Sequence, residues 1–424
     1  MTAKDPRVRD RLVRPLPDDG VWGWLGPTLV AVFAGVLRFW RLGTPKAFIF
    51  DETYYVKDAY SLLKFGAEQD YVQGPDKATD LANQRILSGD LHGLFTGDPA
   101  YVVHPPLGKW VIAIGEKLFG LNPFGWRFAV AVLGTLAVLM IARIGRRLFR
   151  STLLGCTAGL LLAVDGMEYV HSRTALLDPI LMFWALAGFG ALLIDRDKAR
   201  ERLADRVGVL DTYGPGLGLR PWRLAAGVFL GAACATKWSG LWFVLVFAAM
   251  SVLWDVGARR AAGVRRPVTG ALLRDAAPAF ASLVLVAAAV YLASWTGWFL
   301  AGDHAYNRYW AKDNPGPSWL PSALWSLWHY HQEAYEFHKN LHSFHPYRSN
   351  PWGWLVLSRP VSYYYQGPGM GQMGCTVDRC SQAITALGTP AIWWASVLAL
   401  PVLGYLWAAR RDWRAGAILA GVVA

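Results

Sequence analysis

Two carboxylates stand side by side in the segment FIFDETYYVKDAYSLL, Asp51 and Glu52, shortly after the apolar stretch Gly23–Trp40. Adjacent carboxylates at a membrane exit repel one another and are costly to desolvate. They need a proton, a cation, a basic partner or open water. Further ionisable residues flank other apolar runs. HPPLGKW carries His104 and Lys109, WRFAVAVLGTL opens on Arg127, EYVHSRTALLDP holds Glu168, His171, Arg173 and Asp178, and ATKWSGLW holds Lys237. An acidic member of this set could act as general base for a hydroxyl nucleophile. Arginine and lysine could hold a phosphate and stabilise the charge developing on it as it leaves. A phosphate at membrane depth implies a lipid phosphate, so the chemistry suggested is group transfer from a lipid-linked donor.

Each residue taken alone has a structural alternative. Asp51 could cap a helix over Glu52–Lys64, with Glu52 complementing its dipole. Asp178, before Pro179, could cap a span. Arg127 and Lys237 could snorkel to headgroups. His104, before two prolines, could be a loop residue, and His171 reads as structural.

The elements that must position these residues are membrane helices. The chain has 424 residues, 54% hydrophobic with 22 Trp, and only 17% charged; a typical soluble domain is about 25% charged. Repeated apolar runs make it an all-α polytopic membrane protein. The net charge of +12 could suggest nucleic acid, but arginines that fix topology explain it better, and no nucleic-acid partner is expected. Basic clusters lie in the N-terminal tail, at Arg143–Arg150, at Arg196–Arg206 with Arg220 and Arg223, at Arg259–Arg274 and at Arg410–Arg414. All five face the cytoplasm only if HPPLGKWVIAIGEKLFG does not span. That segment then lies in the outer interface, with Glu116 and Lys117 on its solvated side.

The spans expected are 23–40, 126–144, 152–168, 175–194, 222–236, 239–254, 277–299 and 390–409, with a ninth from 415. A cytoplasmic tail, 1–22, precedes a catalytic core, 23–300, that includes an exported loop at 42–124. A second exported loop, 301–389, and C-terminal helices, 390–424, follow. The last span has no polar exit, so the chain reads as truncated. The alternating charges of Asp195–Arg206 suggest a solvated helix face. Cys156 and Cys234 fall in apolar runs, whereas Cys375 and Cys380 sit in an exported loop where a disulfide is plausible. Five histidines, His329, His331, His338, His342 and His345, alternate with aromatics. An amphipathic helix at the interface explains them better than a metal site.

The ordered motifs FDETYYVKDA, VHPPLGKW, WRFAVAVLGTL, EYVHSRTALLDP, ATKWSGLW and NPWGWLVLSRPVSYYY resemble those of the protein O-mannosyltransferases. The resemblance implies a GT-C multi-helix transmembrane bundle with long exported loops and interfacial helices. It implies inverting mannose transfer from a lipid phosphate to Ser or Thr of exported or membrane proteins. Asp51 then matches the catalytic base and Glu52 its acidic partner. Arg127 matches an arginine important for activity and is the first choice for the lipid phosphate. Lys237, His104, Lys109 and Arg173 are its candidate neighbours, and Asp178 belongs to a second acidic motif. Eukaryotic members carry a MIR domain in the long exported loop. The loop at 301–389 has no room for one, which points to a bacterial-type enzyme of the plasma membrane using polyprenyl-phosphate-mannose. Its N-terminus would be cytoplasmic and its active site extracytoplasmic. Trp352, Trp354 and Tyr363–Tyr365 could stack on sugar, although packing on the bilayer is the simpler expectation.

No obligatory cofactor is expected, because nearby arginine and lysine could balance the acidic pair; Mg²⁺ or Mn²⁺ stays open. The bilayer is a necessary partner, and the resemblance leaves the protein-export machinery open as another. Two rivals stand: a GT-C transferase that modifies lipid A or a cell-wall glycan, and a transporter or flippase. The nearly charge-free span interiors disfavour the second.

Overall fold

The computed structural model describes residues 6–75, 80–206, 211–342 and 349–424. Its helices in chain order are α1 (Pro6–Leu12), α2 (Trp22–Phe39), α3 (Glu52–Phe65), α4 (Leu81–Ser88), α5 (Leu107–Phe119), α6 (Pro123–Phe149), α7 (Thr152–Ala163), α8 (Gly166–His171), α9 (Leu177–Asp205), α10 (Pro221–Thr236) and α11 (Gly240–Ala262). A long helix with π-turn stretches, α12 (Pro267–Ser294), follows, and then α13 (Ser322–Asn340), α14 (Pro390–Ala408) and α15 (Trp413–Val423). Besides short helical turns such as Thr296–Leu300 and Pro351–Trp354, there are two antiparallel ribbons: β1 (Gln69–Tyr71) with β2 (Phe95–Pro99), and β3 (Val361–Gln366) with β4 (Gln382–Ala386).

Among the described residues six helices, α2, α6, α9, α11, α12 and α14, are long and apolar enough to cross a membrane. The expected third span, 152–168, is interrupted. α7 ends at Ala163, and Asp165 accepts the backbone N–H of Glu168 to start α8. The same carboxylate accepts from Thr389 N–H and Trp393 Nε1. A short acceptor side chain that satisfies new backbone donors ends one helix and begins another. Here it also pins the start of α14.

α5 is too short to span and packs between α3 and α6, as the arginine distribution required. The close approach depends on glycine: a Cβ on Gly115 would lie 2.1 Å from the Gly125 carbonyl oxygen on α6. Asn122 caps α6, accepting from the N–H groups of Phe124 and Gly125 at 3.1 Å, and Pro123 occupies the first turn. This cap, helped by the stacking of buried Trp126 on Phe48 at 4.9 Å, fixes where Arg127 points. The core around the site is built from Val56, Ile112, Trp126, Leu177 and Ile180 on α3, α5, α6 and α9.

α5 is turned over relative to the sequence expectation. Its exposed face is apolar, with Ile114, Leu118 and Phe119, and only Lys117 of the expected polar pair is exposed. Glu116 is buried instead, and burial beside Asp58 holds its carboxyl well above the usual range. The helix thus turns apolar residues outward and two ionisable ones, Lys109 and Glu116, inward to other helices.

The basic clusters gather at the end of the bundle remote from Asp51. Arg147 bridges Asp197 at 2.6 Å, Arg220 bridges Asp195 and Asp255, and Arg259 bridges Asp275 at 2.8 Å. Asp195 and Arg196 are buried. The first charges of 195–206 thus pack inside the bundle, whereas Lys198 and Glu201 pair on an exposed face and Asp205 is exposed too, so the expected solvated face is present in part. Cys375 and Cys380 are disulfide-bonded. Cys234 is buried and Cys156 half-buried, both as free thiols.

Candidate active site

The turn Ile49-Phe50-Asp51-Glu52 separates the acidic pair. Phe50 has φ +51°, a left-handed conformation unfavourable for a residue with a Cβ. It is held by stacking on Tyr363 at 4.4 Å and by its N–H, which donates to the Tyr363 carbonyl at 3.2 Å. Tyr363 in turn meets His171 Nε2 through its hydroxyl at 2.8 Å. A strand from the 301–389 loop therefore closes over the acidic turn. Tyr363 packs inside the protein, not on lipid, whereas Trp352 and Trp354 are exposed.

Glu52 is fully buried and fully used. Its Oε1 accepts from Arg127 Nε at 2.8 Å and from the N–H of Ala175 at 3.0 Å; its Oε2 accepts from Arg127 Nη2 at 2.8 Å and from the N–H of Ile49 at 2.9 Å. Asp51 differs in every respect. It occupies the N-cap position of α3 yet makes no capping hydrogen bond. No described residue hydrogen-bonds or ion-pairs with its half-buried carboxylate. Burial raises its pKa, Asp178 raises it further and Lys237 opposes them. A half-buried carboxylate with no protein partner and a raised pKa is a good proton acceptor. Asp51 therefore does not cap α3 through its side chain, whereas Glu52 does stand in the first turn of α3, where its charge complements the helix dipole.

Two arginines expected to meet phosphate are engaged elsewhere. All five N–H groups of Arg127 are committed: three hydrogen bonds run to the carbonyls of Leu42, Pro45 and Ala47 at 3.2, 3.1 and 2.8 Å, beside the two to Glu52. Arg173 donates to the carbonyls of Leu37, Arg38 and Trp40 at 2.7, 3.1 and 2.7 Å. It thus closes the C-terminus of α2, where helix carbonyls lack partners and the dipole favours a cation. Together they clamp residues 37–47, the connection that delivers Asp51.

Lys109 is also buried. Its ammonium contacts Glu68 and lies 3.9 Å from Asp58. Burial raises Asp58 to about 6, with Lys109 opposing it. Lys57 pairs with Asp80 beneath the same helix. Sequence reasoning missed this buried polar layer. The available signal was charge inside otherwise apolar periodic segments, Lys57 and Asp58 in α3 and Lys109 and Glu116 in α5.

His104, Asp178 and Lys237 remain at the open side. His104 packs between Tyr55 and His338, and burial, reinforced by Lys237 and Lys109, lowers its pKa to about 3. It is a neutral imidazole that can hydrogen-bond but carries no charge for a phosphate. Asp178, in the first turn of α9, pairs with Lys237 Nζ at 2.8 Å, and both are partly exposed, 49% and 31%. Lys237 extends from the end of α10, where Gly240 permits the tight turn into α11: a Cβ there would lie 2.5 Å from Cys234 N. Next to it, Trp238 Nε1 donates to Tyr291 Oη at 3.0 Å, and that hydroxyl meets His331 Nε2 at 2.5 Å. Trp238, Tyr291 and His331, with Gln332 and Glu336 of α13, are the polar members of a mainly apolar groove of about 990 Å³ between α10, α11, α12 and α13.

α13 has the amphipathic character expected of it, with Trp328, Tyr335 and Phe337 exposed. His331 and His338 pack on Trp238, and His329 stacks on Trp310 at 3.8 Å. His345 lies outside the described residues. Among the described residues no group of three or more His, Cys, Asp or Glu side chains is arranged to hold a metal ion.

Residues 28–307 match the family model described as dolichyl-phosphate-mannose-protein mannosyltransferase. Residues 324–417 match the C-terminal four TMM region of protein-O-mannosyltransferase. A polyprenol-phosphate-mannose–protein mannosyltransferase of Mycolicibacterium smegmatis (strain MKD8) is 42% identical over 440 residues, covering 99% of this chain and 79% of that protein. One of Mycobacterium tuberculosis (strain H37Rv) is 42% identical over 427 residues, covering 96% and 76%. A solved S. cerevisiae protein O-mannosyltransferase complex bound to the sugar donor is 20% identical, with a TM-score of 0.49 over 75% of this chain and 40% of that one.

Proposed function

Given that this chain belongs to the dolichyl-phosphate-mannose-protein mannosyltransferase family, we propose that it transfers mannose from polyprenyl-phosphate-mannose to Ser or Thr hydroxyls of exported proteins. It works in the plasma membrane, with the Asp51 end extracytoplasmic and the arginine-rich end cytoplasmic. The observation that carries the reading is the division of labour within the acidic pair. Glu52 is spent on Arg127 and two backbone N–H groups, which leaves Asp51 as the unpartnered carboxylate of a strained, clamped turn.

In the reaction, Asp51 takes the proton of the acceptor hydroxyl. The hydroxyl oxygen attacks C1 of mannose on the face opposite the phosphate, and the bond from C1 to the phosphate oxygen breaks, inverting the anomeric centre. Lys237 exchanges Asp178 for the departing phosphate and stabilises its charge. The prenyl chain lies in the apolar groove beside Lys237, whose rim of Trp238, Tyr291 and His331 receives the headgroup end. His104 supplies a neutral hydrogen-bonding group, and Asp178 holds Lys237 in place between turnovers. Arg127, Arg173 and Lys109 are positioning residues. The acidic pair works without a divalent ion because both Glu52 oxygens already have their partners; loss of transfer in EDTA, restored by Mn²⁺ or Mg²⁺, would overturn that.

The test is Asp51→Asn in membranes, scored with labelled polyprenyl-phosphate-mannose and a protein acceptor while abundance is followed. Insertion at normal levels with transfer reduced by about 10²-fold or more is expected for loss of a general base. Wild-type turnover excludes Asp51 as the base. Label appearing in a glycan and none in protein would favour the GT-C transferases that modify lipid A or cell-wall glycan.

A further inference from the structure

At the end of the bundle remote from Asp51 lies a second cavity, of about 550 Å³, lined by eight arginines and two aspartates. It brings together the N-terminal tail, the ends of α6 and α9, and the α14–α15 connection, segments far apart in sequence. The two carboxylates are already in use. Asp197 is shared by Arg147 at 2.6 Å, Arg150 at 3.2 Å and Arg196 at 3.3 Å. Asp412 is held by Arg414 at 2.6 Å. Arg200 donates to the carbonyls of Leu12 and Arg11, at 2.8 and 2.9 Å. Arg14, Arg410 and Arg411 make no ion pair with any described carboxylate.

Topology alone does not explain this arrangement. An arginine that only marks the cytoplasmic side can extend into water away from its neighbours. Here Arg196 is nine-tenths buried and sits over the Trp413 ring, 3.3 Å from its centroid, with the Trp254 ring 5.8 Å away. Its guanidinium is thereby fixed within the arginine cluster. Like charges held together on low-dielectric walls are costly unless an anion joins them. Rigid guanidinium forks match phosphate oxygens in pairs. Leu148, Leu253 and Trp254 line the same cavity and give it an apolar wall, as a headgroup joined to acyl chains would require.

We infer that this cavity is a binding site for a phosphate-bearing anion, of the kind an anionic phospholipid headgroup presents at the membrane surface. It is separate from the catalytic reading and does not depend on it. The occupant is engaged by Arg196 and Arg200 on the α9 side and by Arg410 and Arg411 on the α14–α15 side.

The test uses the purified full chain in neutral detergent, with thermal unfolding and native mass spectrometry as readouts. The probes are cardiolipin, phosphatidylcholine and soluble pyrophosphate. Cardiolipin is expected to raise the unfolding temperature and to stay bound in the mass spectrum, more weakly at high salt, while phosphatidylcholine does neither. Arg410→Gln/Arg411→Gln changes exposed side chains and leaves the fold intact; it should weaken cardiolipin by about 30-fold, from the usual contribution of each basic residue near anionic lipid. Arg196→Gln/Arg200→Gln should do the same, with mannose transfer in a neutral-lipid vesicle retained as proof of folding. Pyrophosphate that protects and displaces cardiolipin supports the site and names a soluble phosphate as a source; cardiolipin binding without pyrophosphate binding supports it and names the lipid. Equal binding to wild type and both variants, or equal binding of phosphatidylcholine, overturns it. Loss of mannose transfer in the Asp51 variant with cardiolipin binding unchanged keeps the two proposals apart.

Discussion

Replacing Arg127 distinguishes two physical roles that a sequence motif confounds. As a phosphate ligand, its loss would raise the KM for the donor and leave the protein as stable as before. As the buried partner of Glu52, its loss must first damage the fold. The pair is at most 1% exposed, with two contacts at 2.8 Å. Removing one member of such a pair leaves a buried charge without its partner and costs about 3–5 kcal/mol. Arg127→Gln also weakens or orphans the carbonyls of Leu42, Pro45 and Ala47, so the upper part of that range is expected.

At roughly 2 °C or less per kcal/mol for a chain of this size, Arg127→Gln should lower the unfolding temperature by several degrees, up to about 10 °C. The assay pairs thermal unfolding in detergent with donor-dependent transfer at a temperature where the variant stays folded. Glu52→Gln should destabilise comparably. The double variant Glu52→Gln/Arg127→Gln should recover part of the loss, because two neutral amides can hydrogen-bond where one isolated charge cannot. Arg127→Lys should resemble Arg127→Gln, since an ammonium cannot reproduce five fixed donors. An unchanged unfolding temperature with a raised donor KM for Arg127→Lys would refute the clamp and return Arg127 to the phosphate.

Further expectations follow from the same geometry. Asp51 has a raised pKa, so the acidic limb of the transfer rate should lie above the ordinary carboxylate range and vanish in Asp51→Asn. A raised folded-state pKa also means that its contribution to stability is full below the unfolded pKa and lost as pH rises through the folded one; Asp51→Asn should unfold no lower than wild type at pH 7. Lys237→Gln should raise the donor KM and lower kcat with the unfolding temperature within about 1 °C of wild type, as for a partly exposed pair, while Lys237→Arg should keep much of the activity. Among the described residues, neither buried carboxyl oxygen of Glu116 has a hydrogen-bond partner, and burial beside Asp58 raises its pKa well above the ordinary carboxylate range. Glu116→Gln should therefore be neutral or stabilising by thermal unfolding at pH 7 and leave transfer intact; a large loss of stability would show that the carboxylate is charged there.

Much of the site was legible because membranes restrict where charge can sit. Asp51, Glu52, Arg127, Arg173, Asp178 and Lys237 stand out in the chain because each interrupts or borders an apolar run, and an ionisable group there needs a reason. The arginine clusters likewise required that 104–119 not cross, and α5 does not. Helix ends were less legible. Nothing in the run 152–168 shows that Asp165 breaks it, because the donors it serves include Thr389 and Trp393, distant in the chain. Burial was least legible: Glu116 looked like a solvated residue until the packing of α5 between α3 and α6 turned it inward.

The sequence by itself determined that this is a polytopic helical membrane protein of the mannosyltransferase family, with its ionisable residues and its topological arginines at opposite ends. Those properties reside in hydropathy, charge distribution and motif order. Only the tertiary structure decided what each charge does. The acidic pair became one satisfied carboxylate and one free one, because the clamp by Arg127 and Arg173 and the strained Phe50 turn hold the chain so that Glu52 faces inward and Asp51 outward. A charge's role is set by which partners reach it, and those partners come from α2, α6, the α8–α9 connection and β3, segments joined only in three dimensions.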